Sequence, residues 1–196
     1  MNYRQLYDAL YSVGYHAKAK NHGHRYVRRI CDSFKFKKIL DVGCSNGLAC
    51  VNFHDKGKKA YGIDVSEIAI RYANERYGAR NCIIANAADI PFKDNWFDAV
   101  FSCDVLEHLT PEDANRAIKE ICRVSSKYLF LVIDFKIEGN REFLIKVQRE
   151  KEIFRGIDNL HLTIWPQEKW LGKFSQYGFK KITDIQDLMV FEYEGS

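Results

Sequence analysis

The sequence lacks any run approaching the ~20 consecutive apolar residues that a membrane-spanning helix needs. Its N-terminal residues, MNYRQLYDAL, carry charges where a signal peptide requires an apolar core. It also lacks internal repeats and low-complexity segments. These absences predict a soluble cytoplasmic protein with no membrane partner. The length of 196 residues predicts one domain with a small appendage.

Two further features are missing: a long block of one charge sign and a CxxC pair. The net charge of +4 comes from 30 basic and 26 acidic residues mixed along the chain, which permits a nucleic-acid partner without demanding one. Because a free cysteine behaves as a small apolar residue, we expect reduced thiols in or near the core. The six cysteines are Cys31, Cys44, Cys50, Cys82, Cys103 and Cys122.

Apolar strand-like runs alternate with amphipathic helix-like runs over the first two thirds of the chain. The helices are bounded by recognisable signals, since Ser66 is a plausible N-cap, Gly78 a plausible stop and Thr110 an N-cap before a proline. Repeated strand-helix-strand order predicts a parallel sheet covered on both faces. The predicted strands begin at Ile39 and continue with Lys59–Val65, Asn81–Ala87, Phe97–Val105 and Lys127–Phe135.

The pattern changes after Phe135. Two helix-like stretches, 141–156 and 165–178, precede two strand-like stretches, 179–187 and 188–195, with almost no loop between the strands. Such adjacent strands must pair antiparallel, because a parallel return needs a crossover of about a dozen residues or more. The predicted fold is α/β: a Rossmann-like, doubly wound seven-stranded sheet, mostly parallel, with an antiparallel C-terminal hairpin and helices on both faces.

Residues 1–36 precede the first core strand and contain the helix-like stretch NHGHRYVRRICDSF. One interpretation is a solvated helix that packs over the sheet edge. The other is a lid over a ligand site, because terminal segments often serve as lids. We therefore divide the chain into an N-terminal helical lid or cap, 1–36, and a main domain, 37–196.

The run ILDVGCSNGLACVNF, Ile39 to Phe53, places Gly43 and Gly47 in the turn between the first strand and the first helix of the sheet. Ligands of open parallel sheets bind at such turns, and an acid about 20 residues further on accepts the ribose hydroxyls. Asp64 follows Gly43 by 21 positions. The order DVGCSNG differs from the GxGxxG of nicotinamide and flavin sites, and Asp41 would repel a pyrophosphate but suit an ammonium group.

Four ordered segments carry a family resemblance: ILDVGCSNGLA, AYGIDVSEIAIRYA, ANAADIPFKDNWFDAVFSCDVLEHL and the terminal hairpin. From Lys37 onward the chain resembles a class I S-adenosylmethionine-dependent methyltransferase with a methyltransferase type 11-like domain. The resemblance implies S-adenosylmethionine as cofactor and S-adenosylhomocysteine as product. The cofactor-binding residues that it implies are Asp41, Gly43, Cys44, Ser45, Gly47, Asp64, Val65, Ala88, Asp89 and Cys103.

The resemblance also implies roles. Asp64 would bind both ribose hydroxyls, Ala88 and Asp89 would contact the adenine amine, and Cys103 would lie near the methionine part. Ser45 stands where the family usually has glycine, a mild departure because serine has a small side chain. Asp64 has a competing interpretation as an ordinary helix-capping acid, and Asp89 as the cap of the turn before Pro91.

Methyl transfer requires proximity, alignment and, for a hydroxyl acceptor, a base. The candidates after the fourth strand are His108, Asp104 and Glu107, with His108 the sharpest because imidazole titrates near neutral pH. The alternative is that Glu107 and His108 only cap the helix after Thr110. The set Asp104, Glu107, His108 and His161 has the ligand types of a divalent metal site, but LEHL also occurs in methyltransferases without metal, so we expect no metal.

The predicted function is methyl transfer to oxygen or nitrogen of a small-molecule acceptor, because little chain is left for a recognition domain. His161, Trp165 and Trp170 are candidates to line the acceptor pocket, although packing is the preferred interpretation of Trp170. An RNA or protein methyltransferase, possibly metal-assisted, is the alternative that the basic, aromatic stretch 18–29 suggests. A non-catalytic cofactor-binding module is the third.

Overall fold

Seven strands form one sheet, and the computed structural model describes residues 2–15, 23–79, 81–135, 141–151 and 157–195. The strands are β1 (Lys38–Val42), β2 (Lys59–Asp64), β3 (Cys82–Ile84), β4 (Phe97–Cys103), β5 (Ser125–Val132), β6 (Phe179–Ile185) and β7 (Leu188–Tyr193). Their order is β3-β2-β1-β4-β5-β7-β6. Strands β1 to β5 pair in parallel, and β7 pairs antiparallel with both β5 and β6. The predicted fold class is confirmed.

Seven helices accompany the sheet among the residues described. They are α1 (Tyr3–Ser12), α2 (His24–Ser33), α3 (Leu48–Asp55), α4 (Glu67–Tyr77), α5 (Pro111–Val124), α6 (Arg141–Lys151) and α7 (Gln167–Ser175), together with a 3₁₀ turn, Leu106–His108. The boundary signals act as predicted: Ser66 Oγ accepts the Ala69 N–H at 3.2 Å, and Thr110 Oγ1 accepts the Asp113 N–H at 3.3 Å. None of the described helices is long and apolar enough to cross a membrane.

The two faces of the sheet bury separate cores, as strand alternation requires. Leu40, Val100 and Leu129 face one core with residues of α5 and α7. The neighbouring strand positions, Ile39 and Phe101, face the other core with residues of α2 and α3. Helices therefore cover both faces, and the carboxyl ends of the parallel strands are left to build a site.

The third predicted strand, Asn81–Ala87, is shorter than expected, because only Cys82–Ile84 pairs with β2. After β3 the chain leaves the sheet in a local turn, in which Asn86 Oδ1 accepts the Ala88 N–H at 2.9 Å. The fifth strand ends at Val132 rather than Phe135. The predicted helix 141–156 is observed as Arg141–Lys151, and 152–156 lie outside the described residues, as do 16–22 of the N-terminal segment.

Candidate active site

A cavity of about 860 Å³ lies at the carboxyl ends of β1, β2, β4 and β5, within the size range of small-ligand pockets. This is the position at which open α/β sheets bind ligands. Eight of the predicted site residues line the cavity: Gly43, Ser45, Asp64, Val65, Cys103, Asp104, Glu107 and His108. Predicted His161 also lines it.

The loop after β1 owes its shape to three residues with positive φ: Gly43 at 76°, Ser45 at 50° and Gly47 at 73°. A Cβ at Gly43 would lie 2.3 Å from Val105 Cγ2, so only glycine fits there. The Gly43 and Cys44 N–H groups both donate to the Ile63 carbonyl, at 2.8 and 2.9 Å. Strand β2 therefore fixes the loop, and the positive φ of Ser45 explains why glycine is usual at its position.

Asp64 at the end of β2 joins this loop to α4. Its Oδ2 accepts the Ser45 N–H and its Oδ1 accepts the Ser66 N–H, both at 2.9 Å. Burial raises the pKa of Asp64 to about 6, and the two N–H donors oppose that shift. The capping role and the ligand-facing position are thus both present, since each carboxylate oxygen keeps acceptor capacity towards the cavity.

Three predicted cofactor residues lie behind the loop rather than in the cavity lining. Asp41 is buried, with Cys50 Sγ 3.7 Å from its Oδ2, and burial raises the pKa of Asp41 well above its usual value. Cys44 is buried as well. Gly47 caps α3, where an added Cβ would lie 2.8 Å from the Ala79 Cβ.

The residues that line the cavity after β3 differ from those predicted. Ala85, Asn86 and Ala87 line it, whereas Ala88 is half-buried and Asp89 exposed, and neither belongs to the lining. Strand length explains the difference, because β3 ends earlier than the sequence suggests. The sequence signal for this early end of β3 was Asn86, because asparagine favours turns.

Glu107, in the 3₁₀ turn after β4, is fully buried. Its Oε1 accepts the Asp134 N–H at 3.0 Å, whereas its Oε2 has no hydrogen-bond partner among the residues described. Burial, with the nearby Asp104 carboxylate, raises the pKa of Glu107 to about 8. A buried oxygen without a donor is costly, so this atom is available for a ligand.

His108 is held as a neutral imidazole. Its Nδ1 lies 3.1 Å from the Leu160 carbonyl, so Nδ1 carries the proton and Nε2 has the free lone pair. Burial lowers the pKa of His108 to about 3. The ring of His161 stands edge-on at a centroid distance of 4.7 Å. A neutral imidazole of low basicity suits hydrogen bonding or ligation better than general-base catalysis.

Three of the four predicted metal-ligand residues come together. One ligand atom from each of Glu107, His108 and His161 lies within 4.8 Å of the others, and all three residues are buried. Asp104 is outside this group and exposed, with φ at 56°. The trio has the donor types that could hold a divalent cation, and a polar substrate group would meet the same atoms.

Four tyrosines of the N-terminal segment line the cavity, and sequence reasoning did not identify them. Tyr3, Tyr7, Tyr11 and Tyr15 recur every four residues, so three lie on one face of α1 and the fourth just beyond it. Burial is the largest cause that raises the pKa of each phenol, which keeps all four protonated. The spacing of four residues between these tyrosines was the sequence signal that could have identified them as one face of a helix.

Helix α1 is attached to the loops that surround the cavity. Asp8 Oδ1 accepts from Ser66 Oγ at 2.6 Å and from the Ile68 N–H at 3.2 Å. Tyr11 Oη lies 2.6 Å from Ser45 Oγ. The first helix is therefore bonded to both the loop after β1 and the start of α4.

Two of the three predicted acceptor residues, Trp165 and Trp170, are not part of the cavity lining. Trp170 is fully buried in the core, as its preferred interpretation expected, and Trp165 packs against it at a centroid distance of 4.7 Å. His161, the third predicted acceptor residue, does line the cavity, and Phe135, which was not predicted, lines it as well.

The glycine loop after β1, the buried acid at the end of β2 and the cavity between them have the arrangement with which doubly wound sheets bind nucleosides. Residues 40–131 match the family model of a methyltransferase domain. The chain therefore carries a methyltransferase domain, and the resemblance to class I S-adenosylmethionine-dependent methyltransferases drawn from the sequence is confirmed.

Curated relatives agree with this domain, and a solved structure agrees with its fold. The chain is 36% identical over 87 residues to a phosphoethanolamine N-methyltransferase of Plasmodium falciparum, covering 42% of this chain and 33% of that protein. It is 33% identical over 99 residues to the chloroplastic tocopherol O-methyltransferase of Arabidopsis thaliana, covering 47% and 28%. The Synechocystis magnesium protoporphyrin IX methyltransferase, solved with bound S-adenosylhomocysteine, superposes with a TM-score of 0.61 at 17% identity, over 87% of this chain and 83% of that one.

The chain spans between 28% and 59% of the length of the curated relatives that it matches. What it shares with them is therefore the domain rather than the whole protein.

Proposed function

We propose that this protein transfers the methyl group of S-adenosylmethionine to a nitrogen or oxygen of a small-molecule acceptor. The observation that carries the proposal is the Asp64 carboxylate, which faces the cavity from the end of β2 while two backbone N–H groups at 2.9 Å hold it in place. Both oxygens retain lone pairs for the two hydroxyls of a ribose.

The residues around the cavity fit this cofactor. Gly43 lines the cavity without a side chain, so a ligand can approach the backbone of the loop there. Val65 and Ala87 supply small apolar contacts beside Asp64 that suit the adenine. When bound, the cofactor supplies a methyl group on a sulfonium. The chain has to hold it, exclude water and align the acceptor.

The N-terminal segment acts in this proposal as the lid of the site, with 37–196 as the catalytic domain. Its support is the attachment of α1 to Ser45 and Ser66, together with the tyrosine face turned towards the cavity. A lid that contributes side chains to the cavity both excludes water and selects the acceptor.

A small acceptor is favoured over RNA by the charge of the cavity. Asp64, Asp104 and Asp134 are among its described lining residues, and a phosphate chain would meet their carboxylates with repulsion. A flat salt dependence of any RNA binding would agree with this choice, whereas a steep one would favour the RNA alternative.

Metal-assisted transfer is the second candidate, and the buried trio of Glu107, His108 and His161 is the observation that favours it. In that case the three residues would hold a divalent ion, and the ion would polarise an acceptor oxygen. Elemental analysis of the purified protein tests this candidate, with activity measured before and after chelation. Full activity in the chelated, metal-free protein would exclude it.

Calorimetric titration with S-adenosylhomocysteine tests the proposed function. A hydrogen bond to a carboxylate is worth about 1.5–3 kcal/mol, so Asp64→Ala should weaken binding roughly 10- to 100-fold. The matched control is Asp98→Ala: Asp98 also accepts two backbone N–H groups, at 2.7 and 2.8 Å, but at the amino end of β1, where the variant should leave binding unchanged. A folded wild type that binds no S-adenosylhomocysteine would overturn the proposal.

A further inference from the structure

We infer that the protein has a second ligand site, at the amino ends of β1, β4 and β5, which binds a compact polyanion with two or more phosphate groups. This is the end of the sheet opposite the candidate active site, and the inference does not depend on the proposed function. Three features of the described residues support it: a cavity lined by lysines, a half-buried lysine without an acidic partner, and aromatic rings that lysines already cover.

The first feature is a cavity of about 720 Å³, within the size range of small-ligand pockets. Four lysines line it: Lys35, Lys37, Lys58 and Lys127. They come from the loop before β1, the loop before β2 and the start of β5, so positive charges that are separated in the sequence meet around one space. Asp98 is the one acid among the described lining residues. A cluster of this composition favours an anionic ligand.

The acid of this cavity does not neutralise the lysines. Asp98 Oδ2 accepts the backbone N–H groups of Lys37 and Lys38, at 2.7 and 2.8 Å, and so fixes the start of β1. The side chains of Lys35 and Lys37 form no ion pair with any acid in the described part of the chain. Lys127 Nζ lies 3.7 Å from Glu192 Oε1, which is beyond hydrogen-bond distance. Most of the positive charge therefore remains available to a ligand.

The second feature is Lys58, which is half-buried. Its Nζ donates to the Phe36 carbonyl at 3.0 Å and lies 4.5 Å from the centroid of the Phe36 ring, and these contacts fix the ammonium group at the wall of the cavity. It forms no ion pair with any acid among residues 2–15, 23–79, 81–135, 141–151 and 157–195. An ammonium group has three N–H donors, so two remain for a ligand. A phosphate would accept these bonds and neutralise a charge that burial makes costly.

Neighbouring groups add to the positive charge at this end of the sheet. Burial raises the pKa of the half-buried Cys31 thiol, which lines the cavity, and the charges of Lys58 and Lys56 oppose that shift. Lys56 therefore lies close enough to act on the same cavity wall. Lys59 pairs with Lys38 in the register of β2 and β1, at the same edge of the sheet. The net charge of the chain is thus distributed unevenly, with lysines concentrated at the amino ends of the strands.

The third feature favours a compact polyanion over single-stranded nucleic acid. Surfaces that bind single strands stack successive bases on open aromatic rings. Here the Phe36 ring is covered by Lys58, and the exposed Trp96, just before β4, has Lys38 Nζ 4.0 Å from its ring centroid. The ammonium groups are therefore presented to a ligand in place of the rings, and the lining lysines surround one cavity. Phosphate groups are the partners that such lysines bind.

Calorimetric titration of the full chain with sodium tripolyphosphate tests the inference. The experiment is done at pH 7 in the presence of S-adenosylhomocysteine, so that the candidate active site is occupied, and at about 50 mM salt, where screening is weak. We expect saturable binding of one tripolyphosphate per chain. Lys58→Gln should weaken that binding roughly 5- to 20-fold, because it removes a charged hydrogen-bond donor.

Two further variants keep the test decisive if Lys58→Gln does not fold. Replacing Lys35 and Lys37 together by glutamine changes two exposed side chains and should cause a loss of similar size. The matched control replaces Lys119 and Lys180, which are exposed and outside the lining, and should bind as wild type does. Asp98→Asn keeps an acceptor for the two N–H groups but removes the negative charge, so it should tighten binding several-fold. A purely structural role of Asp98 would not give that gain.

ATP is the second probe, and it distinguishes a nucleotide from free polyphosphate as the source of the phosphate groups. Equal affinities support a polyphosphate ligand, and tighter binding of ATP supports a nucleotide. No saturable binding of tripolyphosphate, or an equal loss in the control variant, would overturn the inference. Much tighter binding of an oligothymidylate that depends on the same lysines would overturn it in favour of a nucleic-acid surface. Failure to bind S-adenosylhomocysteine by protein that binds tripolyphosphate would count against the proposed function alone.

Discussion

Asp8 Oδ1 accepts a hydrogen bond from Ser66 Oγ at 2.6 Å, across 58 residues of sequence. Ser66 in turn donates its backbone N–H to Asp64 at 2.9 Å. A line of hydrogen bonds thus connects α1 to the carboxylate that would hold the ribose. The position of α1 and the position of the Asp64 carboxylate are therefore linked through Ser66.

Replacing Asp8 by alanine should loosen the lid and speed the release of S-adenosylhomocysteine. The variant loses two hydrogen bonds, to Ser66 Oγ and to the Ile68 N–H, each worth about 1 kcal/mol. We expect the dissociation rate measured by stopped flow to rise roughly five- to 30-fold. Asp32→Ala is the control, because Asp32 makes only an exposed 3.6 Å ion pair with Arg28 in α2. An unchanged dissociation rate in folded Asp8→Ala would show that α1 does not act as a lid.

The local signals at the sheet allowed most of the fold to be predicted. The glycine turn after β1, the acid at the end of β2 and the cap at Ser66 are each encoded by a few neighbouring residues, and strand-helix alternation sets the topology. The terminal hairpin followed from the short connection alone.

The contribution of α1 to the site could not be predicted in the same way. Tyr11 meets Ser45, 34 residues later, and Tyr3 meets Asp113, 110 residues later. No spacing in the sequence specifies such tertiary pairings. Asp89 illustrates a second reason, because a turn started by the Asn86 side chain shifts the chain so that Asn86 and Ala87 face the cavity in its place.

Cofactor affinity should depend on pH through Asp64. Burial raises its pKa to about 6, and only the ionised carboxylate can accept both ribose hydroxyls in addition to its two backbone N–H groups. Binding of S-adenosylhomocysteine should therefore be constant above about pH 7 and weaken as pH falls below about 6, approaching tenfold per pH unit. Calorimetry from pH 5 to pH 8 measures this. The decline should disappear in Asp64→Asn, and a wild type whose affinity is the same at pH 5 and pH 8 would contradict the assignment.

Stability of the ligand-free protein should depend on pH through Glu107. Its folded-state pKa is raised from 4.5 to about 8, so the folded protein holds this proton more tightly than the unfolded chain does. The stabilisation that this bound proton gives the folded protein is fully present below pH 4.5 and is lost as pH rises through about 8. One pKa unit corresponds to about 1.4 kcal/mol, so the free energy of unfolding should fall by an amount on the order of 3–5 kcal/mol.

Glu107→Gln removes the titrating group and should remove most of this decline. Thermal unfolding of the two proteins at pH 5 and pH 9 gives the comparison, in which the melting temperature of wild type should fall further than that of the variant. Glu75→Gln, at an exposed position of α4, is the matched control and should follow wild type. Parallel pH profiles for wild type and Glu107→Gln would mean that Glu107 is not held protonated in the folded protein.

Gly62, in the middle of β2, makes room for two thiols beneath the loop after β1. A Cβ at this position would lie 2.7 Å from both Cys44 Sγ and Cys82 Sγ, and both cysteines are buried. Gly62→Ala should therefore overpack this site and lower the free energy of unfolding by about 1–3 kcal/mol. Since Cys44 belongs to the loop after β1, the same variant should also weaken binding of S-adenosylhomocysteine.

Gly172→Ala is the control for the effect of the methyl group itself. Gly172 lies inside α7, and an added Cβ there would meet nothing within 4 Å, so the variant should gain about 0.5–1 kcal/mol from helix propensity. Denaturant unfolding measures the change in the free energy of unfolding for both variants. The comparison holds when the slope of that free energy against denaturant concentration is the same in the variant and in wild type. If Gly62→Ala proves as stable as wild type, the thiols of Cys44 and Cys82 must be able to turn away from β2 at no cost. The loop after β1 would then not depend on the packing beneath it, and the predicted loss of affinity should be absent as well.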